Sequence, residues 1–229
     1  MTAGYRATHG QGRRGRTYSR GVRLALFPLD LVLFPGAVLP LHVFEARYRE
    51  MIGRCISDDH DFGVARIRAG EEVGGYAETE AVGTVASIVQ HRRLLDGRYV
   101  LLAAGGDRFR IVERLPDDPF PSAMVDVIGP EAGVVVEAGL LDEVVVLARR
   151  YTGLAAEAGE IDPGVTLDVA DEPETASFAV AAAMALDGPS RQALLELGTA
   201  DRLAELQRTL RGENDRLVGK ILSRGSGAR

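Results

Sequence analysis

The stretch from Leu24 to Leu41, LALFPLDLVLFPGAVLPL, sets the first constraint on this chain. It is apolar enough to be buried, yet Pro28, Pro35 and Pro40 divide it and Asp30 puts a charge inside it. A proline within a helix removes a hydrogen bond and clashes with the preceding turn. A charge at membrane depth is costly, so neither a long buried helix nor a bilayer span fits. What remains is a set of short strands over Val22 to Val43, broken at Pro28 and at the Phe34-Pro35-Gly36 turn. In that turn proline presets φ and glycine tolerates the left-handed region.

The segment FEARYREMIGRCISDD follows, with Phe44, Tyr48, Met51, Ile52 and Cys55 at helical spacing. This predicts an amphipathic helix with Phe44, Tyr48 and Ile52 in the core. Glu45 and Arg49 lie four apart and would pair on its face for roughly 0.3 kcal/mol. Further strands are expected at Phe62 to Ile67, Val82 to Leu95, Arg98 to Ala104, Phe109 to Leu115 and Ala123 to Ile128, with a polar loop AGEEVGGYAE between the first two. Asp96-Gly97 reads as a hairpin turn with both central positions at positive φ. Short strands at this spacing make a barrel or a curled sheet.

Beyond Gly129-Pro130 the pattern turns helical, over Val134 to Ala158, Thr175 to Leu186, Ser190 to Leu197 and Thr199 to about Ser223. Leu203, Leu206, Leu210, Leu217 and Ile221 form one apolar seam on the last helix and read as bundle core. The expected fold class is therefore α+β. A β-rich barrel with one helix spans 22–128 and a helical subdomain spans 129–223. Disordered tails are expected at 1–21 and 224–229.

Charge separates the function classes. Residues 1–23 carry six arginines and no carboxylate; removing those six charges from the chain's net −6 leaves −12 on the remainder. Phosphate contacts need clustered Lys and Arg on a folded surface, so an acidic body argues against nucleic acid apart from weak contacts of the basic tail. The single cysteine, Cys55, excludes an internal disulfide and fits a reducing cytoplasm. It reads as helix core. No secretory signal is expected.

The sequence LALFPLDLVLFPGAVLPLHVFEARYREMI resembles the opening of the Lon protease N-terminal, substrate-binding domain family. The resemblance rests on Phe27-Pro28-Leu29, Phe34-Pro35-Gly36, Leu39-Pro40-Leu41, Phe44-Glu45 and Arg47-Tyr48-Arg49. It continues through FGVARI, Ala81-Val82-Gly83-Thr84, DGRYVLLAAGGDRFRI, Asp118-Pro119-Phe120 and RQALLEL, over about residues 22–222. It implies a pseudo-barrel similar to PUA domains followed by a helical bundle. It also implies a role in binding proteins or peptides, with no ATPase or protease domain attached. The partners would be unfolded or specific protein segments and a separate protease that the chain serves as an adaptor in protein quality control, in the cytoplasm and away from the membrane.

The candidate peptide-binding residues are Phe34, Pro35, Val38, Leu39, Arg66, Val73 and Tyr76, taken from the Phe34 to Leu39 turn, the Gly70 to Tyr76 loop and neighbouring positions, with the barrel-to-bundle junction as a further wall. Glu45, Arg47, Tyr48 and Arg49 read as keepers of the fold. No catalytic residue, metal ligand or cofactor is expected. Asp187-Gly188-Pro189-Ser190 resembles the serine motif of the Lon proteolytic domain, but both flanks differ, and Ser190 reads as a helix cap. Lys220 is followed by Ile221, which excludes a P-loop. Gly10 to Gly15 spells G-x-G-x-x-G without a strand before it, and Asp61-Phe62-Gly63 lacks the other kinase motifs. Asp58, Asp59, His60 and Asp61 read as a solvated turn. Two alternatives stand beside the binding module: an RNA-binding PUA-like module, and a cryptic peptidase whose residues no motif reveals.

Overall fold

Pro28 does not end the first strand. In the computed structural model, which describes residues 21–70, 77–117, 119–164 and 167–226, β1 runs from Val22 to Leu29. The expected tail before Gly21, the end of the chain after Ser226, Asp118 and the candidates Val73 and Tyr76 lie outside the described residues. β1 pairs antiparallel with β7 (Ser122–Ile128) through Ala25, then parallel with β3 (Phe62–Gly70) from Leu26 to Leu29. The Leu26 N–H reaches the Pro121 carbonyl at 2.8 Å, just before β7 begins. By the two-residue period of a strand Pro28 faces the same side, where its missing N–H breaks no ladder.

The strand order is β1-β7-β6-β5-β3-β4, and the β1–β3 pairing closes it into a pseudo-barrel. β4 is Ala77–Thr79 and β5 is Val82–Arg93. β6 is one strand from Tyr99 to Leu115, where two had been expected. β2 (Val38–Val43) pairs with its first part and β7 with its second, so both lie along the same edge of β6. The hairpin between β5 and β6 differs from the expected primed turn. Gly97 alone takes positive φ, at 83°, while its N–H donates to the Leu94 carbonyl (3.0 Å) and the Leu94 N–H to the Arg98 carbonyl (2.8 Å). That is an ordinary turn followed by a left-handed glycine, the usual three-residue hairpin.

Helix α1 (Ala46–Asp58) buries Tyr48, Met51, Ile52 and Cys55 against the barrel wall. Phe44 is no part of this core. It precedes the helix and is 48% exposed. Burial, with help from Asp61 and Asp58, pushes the Cys55 thiol up to about 11, so it stays protonated at neutral pH.

The helical half comprises α2 (Leu140–Glu157), α3 (Pro173–Ala183), α4 (Gly188–Glu196) and α5 (Thr199–Ser226). α2 starts later than the sequence suggests, because Gly139 sits at its cap with φ 80°. α5 continues three residues past the expected start of the C-terminal tail. Ser190 is not the cap of α4; Asp187 is, and its carboxylate accepts from the Ser190 N–H at 2.8 Å. Leu203, Leu206, Leu210 and Leu217 are fully buried, as the seam required.

Polar contacts fasten α5 along its length. Glu160 accepts from Arg216 and Lys220, and these hydrogen bonds pull its carboxyl from the ordinary 4.5 to about 2. A lowered folded-state value gives stability that is complete above pH 4.5 and lost as pH falls toward 2. Solvent reaches the group, so the loss is about 1 kcal/mol at most. The melting temperature of the protein should therefore fall more steeply across this window than that of Glu160→Gln. Parallel curves for the two would show that the pairing adds nothing.

The halves meet at a buried ionic joint. Arg108 of β6 donates to the Leu195 and Leu197 carbonyls, both at 3.0 Å, and pairs with Glu131 at 3.1 Å. Glu131 accepts from the Thr199 N–H (3.1 Å), and Glu174 of α3 accepts from the Glu131 N–H (2.8 Å). Gln192 donates to the Val82 carbonyl at 3.0 Å, adding a second tie between α4 and the barrel.

Candidate binding cleft

The barrel has an open seam where β1 and β2 face each other. β2 pairs with β6 at six consecutive positions, Val38↔Ala104 to Val43↔Tyr99. Pro40 can donate nothing to that ladder, so the bonds to β6 fall at Leu39, Leu41 and Val43. The backbone of Pro40 then faces the opposite edge. The second part of β1 meets β2 across this gap, and Pro28 lies on its near edge. No ladder joins β1 to β2 among the described residues. A proline on each lip removes a donor from each, which keeps the two edges from zipping together.

The seam opens as a cleft of about 250 Å³. Phe27, Leu29 and Leu31 line one side, and every residue from Leu39 to Glu45 lines the other. Side chains of a strand alternate between faces, so seven consecutive lining residues mean that the cleft runs along the edge of β2. Tyr48 closes its end, stacked on Phe27 with ring centroids 4.4 Å apart. Phe44 stands at the mouth, its ring 6.1 Å from that of His42. Val38, beside the cleft, is also 48% exposed. The one carboxylate in the lining is Glu45, which meets Arg47 at 3.3 Å.

Of the candidate peptide-binding residues Leu39 lines this cleft, while Val38 and the half-buried Pro35 flank it. Phe34 does not fit that role. It is wholly buried, 6.2 Å from Phe178 of α3 and 4.9 Å beneath the Arg191 guanidinium, and so anchors barrel to bundle. Arg66 is turned to Glu80 (3.1 Å) and packed against Gly188 of α4, outside the cleft lining. Tyr48 serves both fold and cleft, under the Arg47 guanidinium at 4.6 Å. Arg49 donates to the Asp96 carbonyl at 3.3 Å. Sequence reasoning passed over Leu31, Leu41, His42 and Phe44. The two prolines twelve residues apart, each next to leucine, were the available signal for two facing edges.

A wider depression of about 490 Å³ lies at the barrel-to-bundle junction, lined by Glu131, Val134, Val135, Gly198, Thr199 and Asp201 among others. The start of α5 there is already capped by Glu131, so it has no donor to spare at Thr199. Ser190 is held by the Asp187 carboxylate that caps α4, a contact that lowers that carboxyl below its ordinary value, and Lys220 is held by Glu160. Among the described residues no three His, Cys, Asp or Glu side chains gather as a metal ion would require, and no helix is long and apolar enough to cross a membrane.

A family model for the ATP-dependent protease La (LON) substrate-binding domain matches residues 23–211. The chain is 29% identical over 200 residues to a Lon protease of Azospirillum brasilense, covering 83% of this chain and 24% of that protein. It is 32% identical over 205 residues to Lon protease 2 of Herpetosiphon aurantiacus, covering 85% and 24%. It thus spans about a quarter of the length of these relatives. Among solved structures, a Lon N-terminal domain protein from Xanthomonas campestris superposes with a TM-score of 0.62 at 26% identity, covering 81% of this chain and 96% of that one. The N-terminal domain of a Mycobacterium avium complex Lon protease gives 0.56 at 20% identity, covering 85% and 98%, a likeness of fold.

Proposed function

We propose that this chain, which belongs to the ATP-dependent protease La (LON) substrate-binding domain family, captures protein segments in the seam between β1 and β2 and performs no chemistry on them. The observation that carries this reading is the seam itself: an apolar cleft held open by prolines, with Phe44 half-exposed at its mouth. Exposed apolar side chains around a concave site are the usual means of holding apolar residues of a partner. The bound segments come from unfolded or specific proteins, and the chain delivers them as an adaptor to a separate protease in the cytoplasm.

Titration of a labelled, permanently unfolded protein with this chain, without ATP, should give saturable fluorescence anisotropy and no cleavage on a gel. Phe44→Asp places a charge at the cleft mouth without touching the core, and should weaken binding about tenfold, the scale of one lost apolar anchor. The same affinity in Phe44→Asp, or cleavage of the probe, would end this reading.

A further inference from the structure

Six arginines lie on α1 and on the β5–β6 hairpin that packs beside it. Arg47, Arg49 and Arg54 come from α1, Arg92 and Arg93 from the end of β5, and Arg98 from the hairpin that leads into β6. Their placement is tertiary. Arg49 reaches the hairpin at the Asp96 carbonyl, and a Cβ at Gly97 would lie 3.2 Å from Arg49 and 4.0 Å from Arg93. Arg93 lies over Tyr99, 5.9 Å from its ring centre. Arg92 is in register with Val100, which is in register with His42 of the cleft. Arg92 therefore stands two strands from the cleft lip, about 10 Å away on the same face as His42, while Arg93, in register with Tyr99 and Val43, lies on the face that α1 covers, so the rim wraps around the end of the hairpin.

Among the described residues three carboxylates are paired with these arginines, each with one of them. Glu45 meets Arg47 at 3.3 Å, Glu50 meets Arg54 at 2.5 Å and Asp96 meets Arg98 at 2.6 Å. Positive charge is left over on Arg49, Arg92 and Arg93, on a chain whose net charge is −6. A positive patch on a negative body attracts anionic groups over a short range and repels long polyanions from the rest of the surface. The apolar cleft and the cationic rim adjoin through Tyr48 and His42, so one ligand can touch both.

We propose that the cleft prefers apolar segments flanked by acidic residues, the apolar side chains entering the seam and the carboxylates meeting the Arg49, Arg92 and Arg93 rim. This rests on the reading of the seam as the recognition site. The experiment compares two labelled peptides with the same apolar core, one flanked by glutamates and one by lysines, titrated with the full chain. At about 0.02 M salt the acidic peptide should bind about five- to tenfold more tightly, and at about 0.5 M the two should agree within about twofold. Arg92→Glu with Arg93→Glu lies outside the cleft lining and should reverse the preference while leaving the melting temperature unchanged. Equal binding of both peptides at low salt, or a preference that survives the double variant, overturns this proposal and leaves the recognition reading intact. Binding of neither peptide overturns both. Tighter binding of a single-stranded RNA oligomer than of the acidic peptide would also overturn it.

Discussion

Arg202→Ala is expected to cost about 3–5 kcal/mol of folding stability, the scale of breaking a buried charge network by removing one member. Arg202 sits at the start of α5 and is wholly buried. Its guanidinium donates to the Ser177 hydroxyl (2.8 Å), the Leu197 carbonyl (2.6 Å) and the Thr199 hydroxyl (3.2 Å), and lies 3.6 Å from the centre of the Phe178 ring. Burial and the nearby Arg108 charge pull it down to about 10, so it remains charged at neutral pH. Alanine would leave a cavity, orphan the Leu197 carbonyl, and remove positive charge near Glu131, Glu172 and Glu174. Arg202→Lys keeps the charge but not the planar fork that serves these acceptors together, and should recover less than half of the loss. The exposed pair of Arg54 with Glu50 is the control, and Arg54→Ala should change stability by no more than about 0.5 kcal/mol. Urea unfolding of the three variants decides the matter; an Arg202→Ala cost near that of Arg54→Ala would mean the joint contributes little.

Arg202 shows why such a group escapes sequence reading. In the chain it is a hydrophilic residue beside Leu203, ordinary on any amphipathic helix. Its burial comes from α3 and from the turn before α5, whose acceptors close around it only in the folded chain. The strands were legible because alternation and turn residues act locally, as was the bundle seam on α5, where spacing alone decides which face is buried. Phe44 misled because helical spacing was extended back past Glu45, the residue that caps the helix. Phe34 misled for the opposite reason. A turn next to proline and glycine suggests a surface loop, yet its ring is taken by Phe178 and Arg191, more than a hundred residues away. The arginine rim depends on the hairpin folding back toward α1, which no local pattern encodes.

Gly105 and Gly106 stand side by side in the sequence with nothing to tell them apart. They should nevertheless respond very differently to substitution. A Cβ on Gly105 would lie 2.3 Å from the Phe34 carbonyl oxygen and 3.2 Å from the Leu33 side chain. A Cβ on Gly106 would meet nothing closer than the Val85 carbonyl at 3.5 Å, an ordinary contact. The turn opposite Gly105 cannot easily retreat. The Gly36 N–H donates to the Gly105 carbonyl (2.9 Å), the Gly105 N–H to the Ala37 carbonyl (2.8 Å), and Phe34 is locked in the bundle core. Gly105→Ala must therefore push the Phe34 to Ala37 turn off β6, adding overpacking of about 1–3 kcal/mol to the loss of one or two backbone bonds worth about 1 kcal/mol each. A total near 3 kcal/mol is expected, against less than about 1 kcal/mol for Gly106→Ala. That turn feeds directly into β2, so the same shift would deform the lip of the cleft. Gly105→Ala should lose affinity for an unfolded probe at temperatures where it is still folded, and Gly106→Ala should not. Equal stability and equal binding in the two variants would show that the contact between β6 and the Phe34 turn fixes neither the fold nor the seam.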